Sequence, residues 1–311
     1  MLKNTPLINV ERWPFPNALE GIWYDYKKAN SFSIQAAFIN RICPRQTGGY
    51  FNIGESIGKA RTGFDVFGNP SQYSGNVHSN YILISNVDYQ FNPELTLSAW
   101  NYYVDNVSNT SFLEFRQSMM SDNLSFGAML IYQTKVGNGG NADPNLAYQN
   151  DDQAFYWGLR AETNVGTSRL QLNVDAITDA GRMLLPREWG LEPFYTFQRR
   201  TRVEGQRDVA SVMVKWLKSW SNEQQEVNAY VSLGRIGIKD PMDLSSNKNQ
   251  LPRFYHLDLS VQYKPNFLKG LSADLYLAQR FSAGAVPTDD YVINRTDFFH
   301  MDFFVTYTFG K

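Results

Sequence analysis

The segment Ser168–Ile177, SRLQLNVDAI, alternates apolar and polar side chains along its whole length. The apolar set, which shares one face of an extended chain, is Leu170, Leu172, Val174 and Ala176. The polar set on the opposite face is Arg169, Gln171, Asn173 and Asp175. A period of two predicts a β-strand with one face for an apolar medium and one for water.

Twelve further stretches of about ten residues repeat this alternation and are separated by turns rich in Asn, Pro and Gly. The predicted strands lie near 17–28, 31–42, 80–92, 95–104, 110–120, 124–135, 154–164, 168–178, 207–219, 223–236, 253–264, 271–282 and 297–309. Strands of soluble sandwiches usually run to about five or six residues, whereas about ten cross a bilayer at a tilt. The pattern therefore predicts an all-β protein, a transmembrane antiparallel up-and-down β-barrel.

The composition agrees with a barrel that is apolar only on its outside. Aromatic residues make up 15% of the chain, charged residues only 19%, and the mean hydropathy is −0.40. Aromatic residues near strand ends, which predict a girdle at the lipid headgroups, are Trp157, Trp216, Trp220, Tyr102, Tyr103, Tyr26 and Tyr307. A net charge of −1 gives no reason to expect a nucleic-acid partner.

The lengths of the connections assign the strand ends to sides of the membrane. Short and long connections largely alternate, and outer-membrane barrels have short periplasmic turns and long external loops. This register places residues 1–16 outside, before a first strand that runs inwards. An odd number of strands beginning outside does not complete a bacterial barrel, and no signal peptide is visible after Met1. We therefore expect further strands upstream of this sequence.

The N-terminal segment carries a resemblance to a known family. Asn4–Asn9 (NTPLIN), followed by Arg12, Pro16 and Leu19–Gly21 (LEG), resembles a stretch of the OprD family of outer-membrane porins. In that family a similar Asn-Thr-Pro-Leu stretch, an Arg and a Pro precede a Phe-Glu-Gly that opens the next strand. Leu19 replaces the aromatic residue here, and Gly310-Lys311 follows the aromatic residue at which many outer-membrane proteins end.

The resemblance implies an eighteen-stranded barrel in the bacterial outer membrane, of which this sequence holds thirteen strands. It also implies that residues 1–16 are part of the inward-folded constriction loop, and that residues 17–311 form barrel strands and loops. The implied function is passive diffusion of small solutes, especially carboxylates and amino acids. Outer-membrane lipid and lipopolysaccharide are the implied surroundings.

Charged side chains on the predicted lumen face are the candidate solute pathway. Arginine stays charged and presents a planar fork to a carboxylate, so a row of arginines along a pore passes an anion from site to site. The expected pathway residues are Arg12, Arg116, Arg160, Arg280, Arg169, Lys215, Asp175, Asp258 and Asp302. The alternative is that these charges only pair with one another, as Glu114 with Arg116 and Arg160 with Glu162.

Other functions receive less support from the sequence. His256 and Ser260 would lie about 13 Å apart on one strand, too far for a base and a nucleophile, so an enzyme is not expected. One cysteine, Cys43, and three scattered histidines predict no metal site, and no cofactor is needed. The basic cluster Arg199, Arg200 and Arg202 is interpreted as a solvated loop or a site for anionic solutes or lipopolysaccharide phosphates. A barrel with a blocked lumen, whose external loops bind partners as an adhesin or structural protein, is the alternative function; the loop 189–197 fits this partly, or folds into the pore mouth.

Overall fold

The computed structural model describes residues 3–9, 16–28, 31–45, 47–119, 123–286 and 297–309. These residues form one antiparallel sheet whose long strands follow one another in chain order. The strands are β1 Ala18–Lys28, β2 Phe32–Cys43, β3 Phe51–Asn52, β4 Ile82–Asn92, β5 Leu95–Val104, β6 Ser108–Met119, β7 Leu124–Lys135, β8 Gln153–Val165, β9 Ser168–Ile177, β10 Val209–Ser221, β11 Gln225–Ile238, β12 Phe254–Pro265, β13 Leu271–Ser282 and β14 Phe299–Tyr307. The thirteen predicted strands and the up-and-down order are confirmed, and only the two-residue β3 was not predicted.

The two faces of the sheet meet different surroundings. On the outer face apolar side chains are exposed, as at Leu172, Val214 and Leu233. On the inner face polar side chains are buried, as at Asn173 and Asp258, because loops fold over that face. Within the described ranges β1 and β14 have no hydrogen-bonded partner along their free edges. We call the end of the strands that carries most of the short connections the turn end, and the opposite end of the strands the loop end.

Two local departures from regular geometry correct the predicted register. Asp208 has a left-handed backbone with φ of 56°, which ends the preceding loop, so β10 begins two residues later than predicted. A shift between Glu20 and Gly21, opposite the loop end of β2, changes which side chains of β2 face inwards. The alternation of residues 31–42 predicts Arg41 on the lumen face. In the structure Ile42 is completely buried there, and Arg41 pairs with Glu20 in a solvent-exposed position.

Most of the predicted aromatic girdle lies on the outer face. Trp216, Trp220, Tyr26 and Tyr307 are exposed near the turn end. Tyr102 is an exception, because its position on β5 faces inwards and its ring is buried and stacked on Trp100. A one-residue change of position moves a strand side chain to the opposite face.

The core lies at the loop end, between the inner face and the connections that cover it. The longest of these coverings, residues 178–208, contains the 3₁₀ turn Arg187–Trp189 and is called the inner loop below. The apolar side chains that pack between the sheet and the loops include Ile8, Ile57, Ile82, Leu184 and Trp189. The inner loop is therefore held by a hydrophobic cluster as well as by polar contacts. Among the residues described, no helix has the length and apolar character needed to cross a membrane.

Candidate functional site

Several of the predicted site residues lie side by side on neighbouring strands, in one line across the sheet. Arg116 on β6 pairs with Gly127 on β7, which pairs with Arg160 on β8. The same row continues through Asn173, Met213, Gly234 and His256 to Arg280. Since neighbouring strands are about 4.8 Å apart, Arg116 and Arg160 begin about 10 Å from each other on the inner face.

Arg116 and Arg160 are held in different ways. A terminal nitrogen of Arg116 donates to both carboxylate oxygens of Glu114, at 2.8 and 2.9 Å, and its side chain is still 65% exposed. The Nε of Arg160 donates to Oδ1 of Asn173 at 2.7 Å, and its guanidinium carbon lies 4.1 Å from the centre of the Tyr195 ring. Both guanidinium groups are thus oriented by neighbours that do not cover all of their N–H groups.

Two further cations lie over tyrosine rings on the same face. The Nζ of Lys215 lies 4.0 Å from the centre of the Tyr230 ring, and the guanidinium carbon of Arg199 lies 5.1 Å from that of Tyr276. Such distances are those of cation–π contacts. Lys215 interacts electrostatically with both Arg160 and Arg199, and Arg160 interacts with Arg116. We call these four cations, Arg116, Arg160, Lys215 and Arg199, the basic row.

The inner loop is fixed to the sheet beside the basic row. Asp175 on β9 accepts hydrogen bonds from the backbone N–H and the hydroxyl of Thr196, and from the hydroxyl of Tyr156. The Tyr195 hydroxyl donates to Glu114 at 2.8 Å. Gln198 donates to the Ser232 hydroxyl. A glycine at position 127 leaves room for this approach, because a Cβ there would come within 2.7 Å of the Tyr195 hydroxyl.

The contacts of Asp175, Glu114 and Ser232 with the inner loop form its first anchor to the sheet. A second group of contacts, the second anchor, lies under the end of the loop. The Thr201 hydroxyl is 2.5 Å from Nδ1 of His256, and Nε2 of His256 is 2.7 Å from Asp258. Tyr276 also donates to Asp258, at 2.8 Å, and Arg280 donates to Thr201 at 3.5 Å. This hydroxyl–histidine–carboxylate chain has the order of a catalytic triad. Each of its members is at most 1% exposed, so the chain acts as a buried anchor and gives no support to hydrolysis.

Burial under the inner loop corrects the predicted pathway at three positions. Asp175, Asp258 and Arg280 were expected to line the path of a solute. The structure instead covers Asp175 with Thr196, and covers Asp258 and Arg280 at the second anchor. These three groups interact with other side chains of the protein and not with a solute, because a buried ionised group requires hydrogen bonds or a charged partner.

The remaining predicted site residues fall into three groups. Arg116, Arg160 and Lys215 come together in the basic row. Arg169 lies nearer the turn end and pairs with Glu162 at 3.3 Å, while Asp302 pairs with Arg200 at 2.7 Å. Arg12 lies outside the described residues.

A buried group of charges holds the loops together at the loop end. Glu204 is 0% exposed and accepts from Nε of Arg187 at 2.7 Å and from Nζ of Lys248 at 3.4 Å. Burial opposes the charge of Glu204, yet Lys248 and Arg187 hold the pKa of this carboxyl below its ordinary value. Lys248 comes from the connection between β11 and β12 and also lies over the rings of Tyr73 and Tyr148. Four loops therefore meet at this group.

Two other acidic residues of the inner loop accept backbone hydrogen bonds. Glu188 accepts from the N–H groups of Gly58 and Lys59. Glu192 accepts from those of Val203 and Glu204, at 3.0 and 2.9 Å. Burial raises the pKa of Glu192 to about 7, against the opposing effect of the Arg202 charge. Of the basic cluster, Arg199 and Arg200 are exposed, whereas Arg202 is half-buried and donates to the carbonyl of Gly190, so the solvated interpretation fails at Arg202 alone.

The N-terminal segment packs against the inner loop. The side-chain amide of Asn9 donates to the carbonyl of Leu191 and its oxygen accepts from the N–H of the same residue, both at 2.9 Å. The Asn17 side chain donates to Asn9 and Trp189. Lys3, at the other end of the described segment, pairs with Asp25 at 2.8 Å. Residues 3–9 thus add to the covering of the inner face.

A recess of about 410 Å³ opens beside the basic row at the turn end. Its polar lining includes Lys27, Ser33, Asp88, Ser98, Glu114 and Arg116. Asp88 accepts hydrogen bonds from Ser33, Asn86 and Ser98. The recess therefore holds an acidic group on the same face as the exposed guanidinium of Arg116, two strands away, and it leaves space for water and small solutes.

Comparison with known proteins identifies the architecture. No protein-family model matches the chain, and no curated protein matches its sequence. OccD3 (OpdP) of Pseudomonas aeruginosa matches with a TM-score of 0.72 at 11% identity, over 99% of this chain and 72% of that one. OccAB2 of Acinetobacter baumannii matches with a TM-score of 0.71 at 14% identity, and Pseudomonas aeruginosa OpdK, solved with vanillate, with 0.69 at 13%; both cover 99% of this chain and 72% of theirs.

The chain has the fold of the OprD/Occ porins. The resemblance to the OprD family, stated from Asn4–Gly21, is thereby confirmed at the level of the fold. The Occ fold also explains which residues the sequence did not reveal. Arg199, Tyr195 and Thr196 belong to the inner loop, where no period of two exists to say which side chains meet the sheet. The local basic run at 199–202 was the available signal, and the two faces of that loop could not be separated without the fold.

Proposed function

We propose that this protein is a porin of the bacterial outer membrane that passes small solutes by passive diffusion, with a preference for carboxylates. The observation that carries the proposal is the basic row on the inner face, with Arg116 largely exposed and three cations over tyrosine rings. The fold shared with outer-membrane Occ porins supports the location and the channel class. We assign no catalytic role and no cofactor.

The basic row suits transit because each site is weak. Two unit charges 4 Å apart attract by about 1 kcal/mol in water, which favours occupancy without trapping the solute. The aromatic rings under Arg160 and Lys215 hold these cations in place, so little side-chain entropy is lost when a carboxylate binds. The step of about 10 Å from Arg116 to Arg160 lets a carboxylate pass from one to the next.

The acidic groups near the row extend the proposal to zwitterions. Glu114 and Asp88 line the recess that also contains Arg116. Acidic and basic groups side by side on one pore wall offer a partner to both the amine and the carboxylate of such a solute. Amino acids therefore belong to the proposed solute class. OpdK, which shares this fold, was solved with vanillate, an aromatic carboxylate, and this observation supports carboxylates as the preferred group.

The contacts of the N-terminal segment support its assignment to a constriction. Residues 1–16 are proposed to form part of the loop that narrows the pore. Asn9 is joined to Leu191 by two hydrogen bonds, so this segment and the inner loop form one layer over the inner face. On this proposal that layer, which includes Arg199, bounds the narrowest passage on one side.

A protein with a blocked lumen is the second candidate function. The observation in its favour is the buried cluster at the loop end, where Ile8, Leu184 and Trp189 pack against the sheet. Such a protein would bind partners through its external loops. Conductance separates the two candidates, because a blocked lumen passes no ions.

Solute uptake into liposomes tests the preference. We expect the protein to admit benzoate faster than benzylamine, and the double substitution Arg160→Gln with Lys215→Gln to reduce benzoate entry several-fold while benzyl alcohol entry is unchanged. Lys218→Gln is the matched control, since Lys218 lies on the outer face of the same strand as Lys215. Equal benzoate entry in the double variant and the wild type would contradict the role of the row.

A further inference from the structure

We propose that a basic cluster on the outer face at the loop end, Arg235, Lys239 and Arg253, binds the phosphate of a phosphorylated glycolipid in the outer leaflet, such as lipid A. The proposal rests on the proposed outer-membrane location, which makes the loop end the external side. It concerns the lipid-facing surface and does not involve the basic row or the solute path.

The register places Arg235 on the outer face. Its partners in the sheet are Val212 on β10 and Tyr255 on β12, both of which are exposed. The flanking residues of β11, Gly234 and Ile236, are buried on the inner face. Arg235 therefore points towards lipid, where a cation is costly at the midplane and tolerated near a headgroup.

The side chain of Arg235 extends towards the loop end. A terminal nitrogen of its guanidinium lies 3.8 Å from where a Cβ of Gly237 would be, two residues further along β11. A glycine at this position leaves the surface open above the guanidinium. The charge is thus carried to the level of the headgroups, next to the positions of Lys239 and Arg253.

The other two cations are fixed at the same edge. The Nε and one terminal nitrogen of Arg253 donate to the carbonyls of Ile238 and Lys239, which orients the rest of its guanidinium. Lys239 pairs with Asp208 at 2.9 Å, yet its side chain is 77% exposed. The ion pair with Asp208 raises the pKa of Lys239, so the ammonium stays charged. Asp208, together with the nearby Asp179, offsets part of the positive charge of the cluster.

An apolar shelf lies directly below the cluster. Tyr255 and Phe281 are exposed in the same row as Arg235, and Leu233, Leu257 and Phe299 are exposed in the next row towards the middle of the membrane. Cations above aromatic and aliphatic side chains match a lipid that has a phosphate above acyl chains. A free phosphate matches only the upper half of this surface.

The same geometry removes the earlier candidate for lipopolysaccharide. Arg199 lies over Tyr276 and Arg200 pairs with Asp302, and both partners are on the inner face. Arg202 donates to Gly190 within the inner loop. The run at 199–202 is therefore turned away from lipid, whereas Arg235 faces it.

Titration of the delipidated protein in neutral detergent with lipid A tests the proposal, with bound lipid counted by native mass spectrometry. We expect lipid A carrying both phosphates to bind, and Arg235→Gln to weaken binding about fivefold, the effect of one cation near a membrane surface. The double variant with Lys239→Gln should lose more. Lys218→Gln, which removes an outer-face lysine at the turn end, should bind lipid A like the wild type.

Three results would overturn the proposal. The first is wild-type affinity in the double variant, provided that its circular dichroism and heat-dependent migration are those of the folded protein. The second is equal binding of dephosphorylated lipid A. The third is displacement of lipid A by millimolar inorganic phosphate, which would make the free anion the ligand. A wild-type protein that binds lipid A but conducts no ions would refute the pore and leave this site standing.

Discussion

Single residues of the inner loop carry charges that most proteins keep in water. Glu204 is completely buried between Arg187 and Lys248. Removing one partner of a buried ion pair leaves the other charge without compensation, which costs about 3–5 kcal/mol. The loops at the loop end therefore depend on this carboxylate far more than on any exposed ion pair.

We expect Glu204→Gln to lower the free energy of unfolding by about 3 kcal/mol, because two buried cations lose their carboxylate. The measurement is urea unfolding of the protein in lipid, followed by tryptophan fluorescence. Asp208→Asn is the control: its pair with Lys239 is exposed and screened by water, so its loss should change stability little. Similar losses in the two variants would show that burial of Glu204 is not what makes it important.

Glu192 gives the inner loop a dependence on pH. Its pKa of about 7 in the folded protein is above the ordinary 4.5, so folding favours the protonated form. Its stabilising contribution is therefore fully present below pH 4.5 and is lost as the pH rises through 7. We expect exchange of the Val203 and Glu204 amide hydrogens, corrected for intrinsic rates, to become faster over this range. In Glu192→Gln that extra dependence should be absent; its persistence would assign the effect to another group.

The inner loop covers part of the inner face and is fixed to the sheet at two anchors. Glycines of the sheet let it approach: Gly127 faces the hydroxyl of Tyr195, and a Cβ at Gly234 would collide with the side-chain oxygen of Gln198. Neither glycine has a positive φ, so space and not backbone conformation requires them. The distance between the inner loop and the sheet determines how much of the inner face remains open.

We expect Gly234→Val to move Gln198 and the nearby part of the inner loop away from β11, which widens the passage and raises single-channel conductance. Gly49→Val is the control, because a Cβ there meets only the ring of Phe51 at 3.8 Å. A Gly234→Val channel with wild-type conductance and normal folding would show that the inner loop does not limit the flow of ions.

The strands could be predicted from the sequence, whereas the contacts of the inner loop with the sheet could not. Ser168–Ile177 alternates because one face of β9 meets an apolar medium, and this constraint leaves a period of two. The inner loop has no period, so nothing in the sequence indicated that Thr196 covers Asp175 or that Thr201 meets His256. The irregular pairing near Glu20 likewise exchanged the expected roles of Arg41 and Ile42, since such a shift leaves no mark in the alternation.

On the proposed outer-membrane location the sheet separates lipid from water, so neighbouring residues of one strand differ in what they tolerate. Leu172 is exposed on the outer face in the middle of β9, and Gln171 lies on the inner face next to Lys215. We expect Leu172→Arg to destabilise the protein in lipid by about 2–4 kcal/mol and Gln171→Arg to change stability little. Urea unfolding in lipid vesicles measures both. Equal effects would contradict the assignment of the faces.

The central claim is that the inner face lines a water-filled path whose basic row favours anions. The most direct test is the reversal potential of the purified protein in planar bilayers under a salt gradient. We predict a conducting channel whose reversal potential shifts towards cation selectivity when Arg116, Arg160 and Lys215 are all changed to Gln, and does not shift with Lys218→Gln. A protein without conductance, or a channel whose selectivity ignores the three substitutions, would contradict the account.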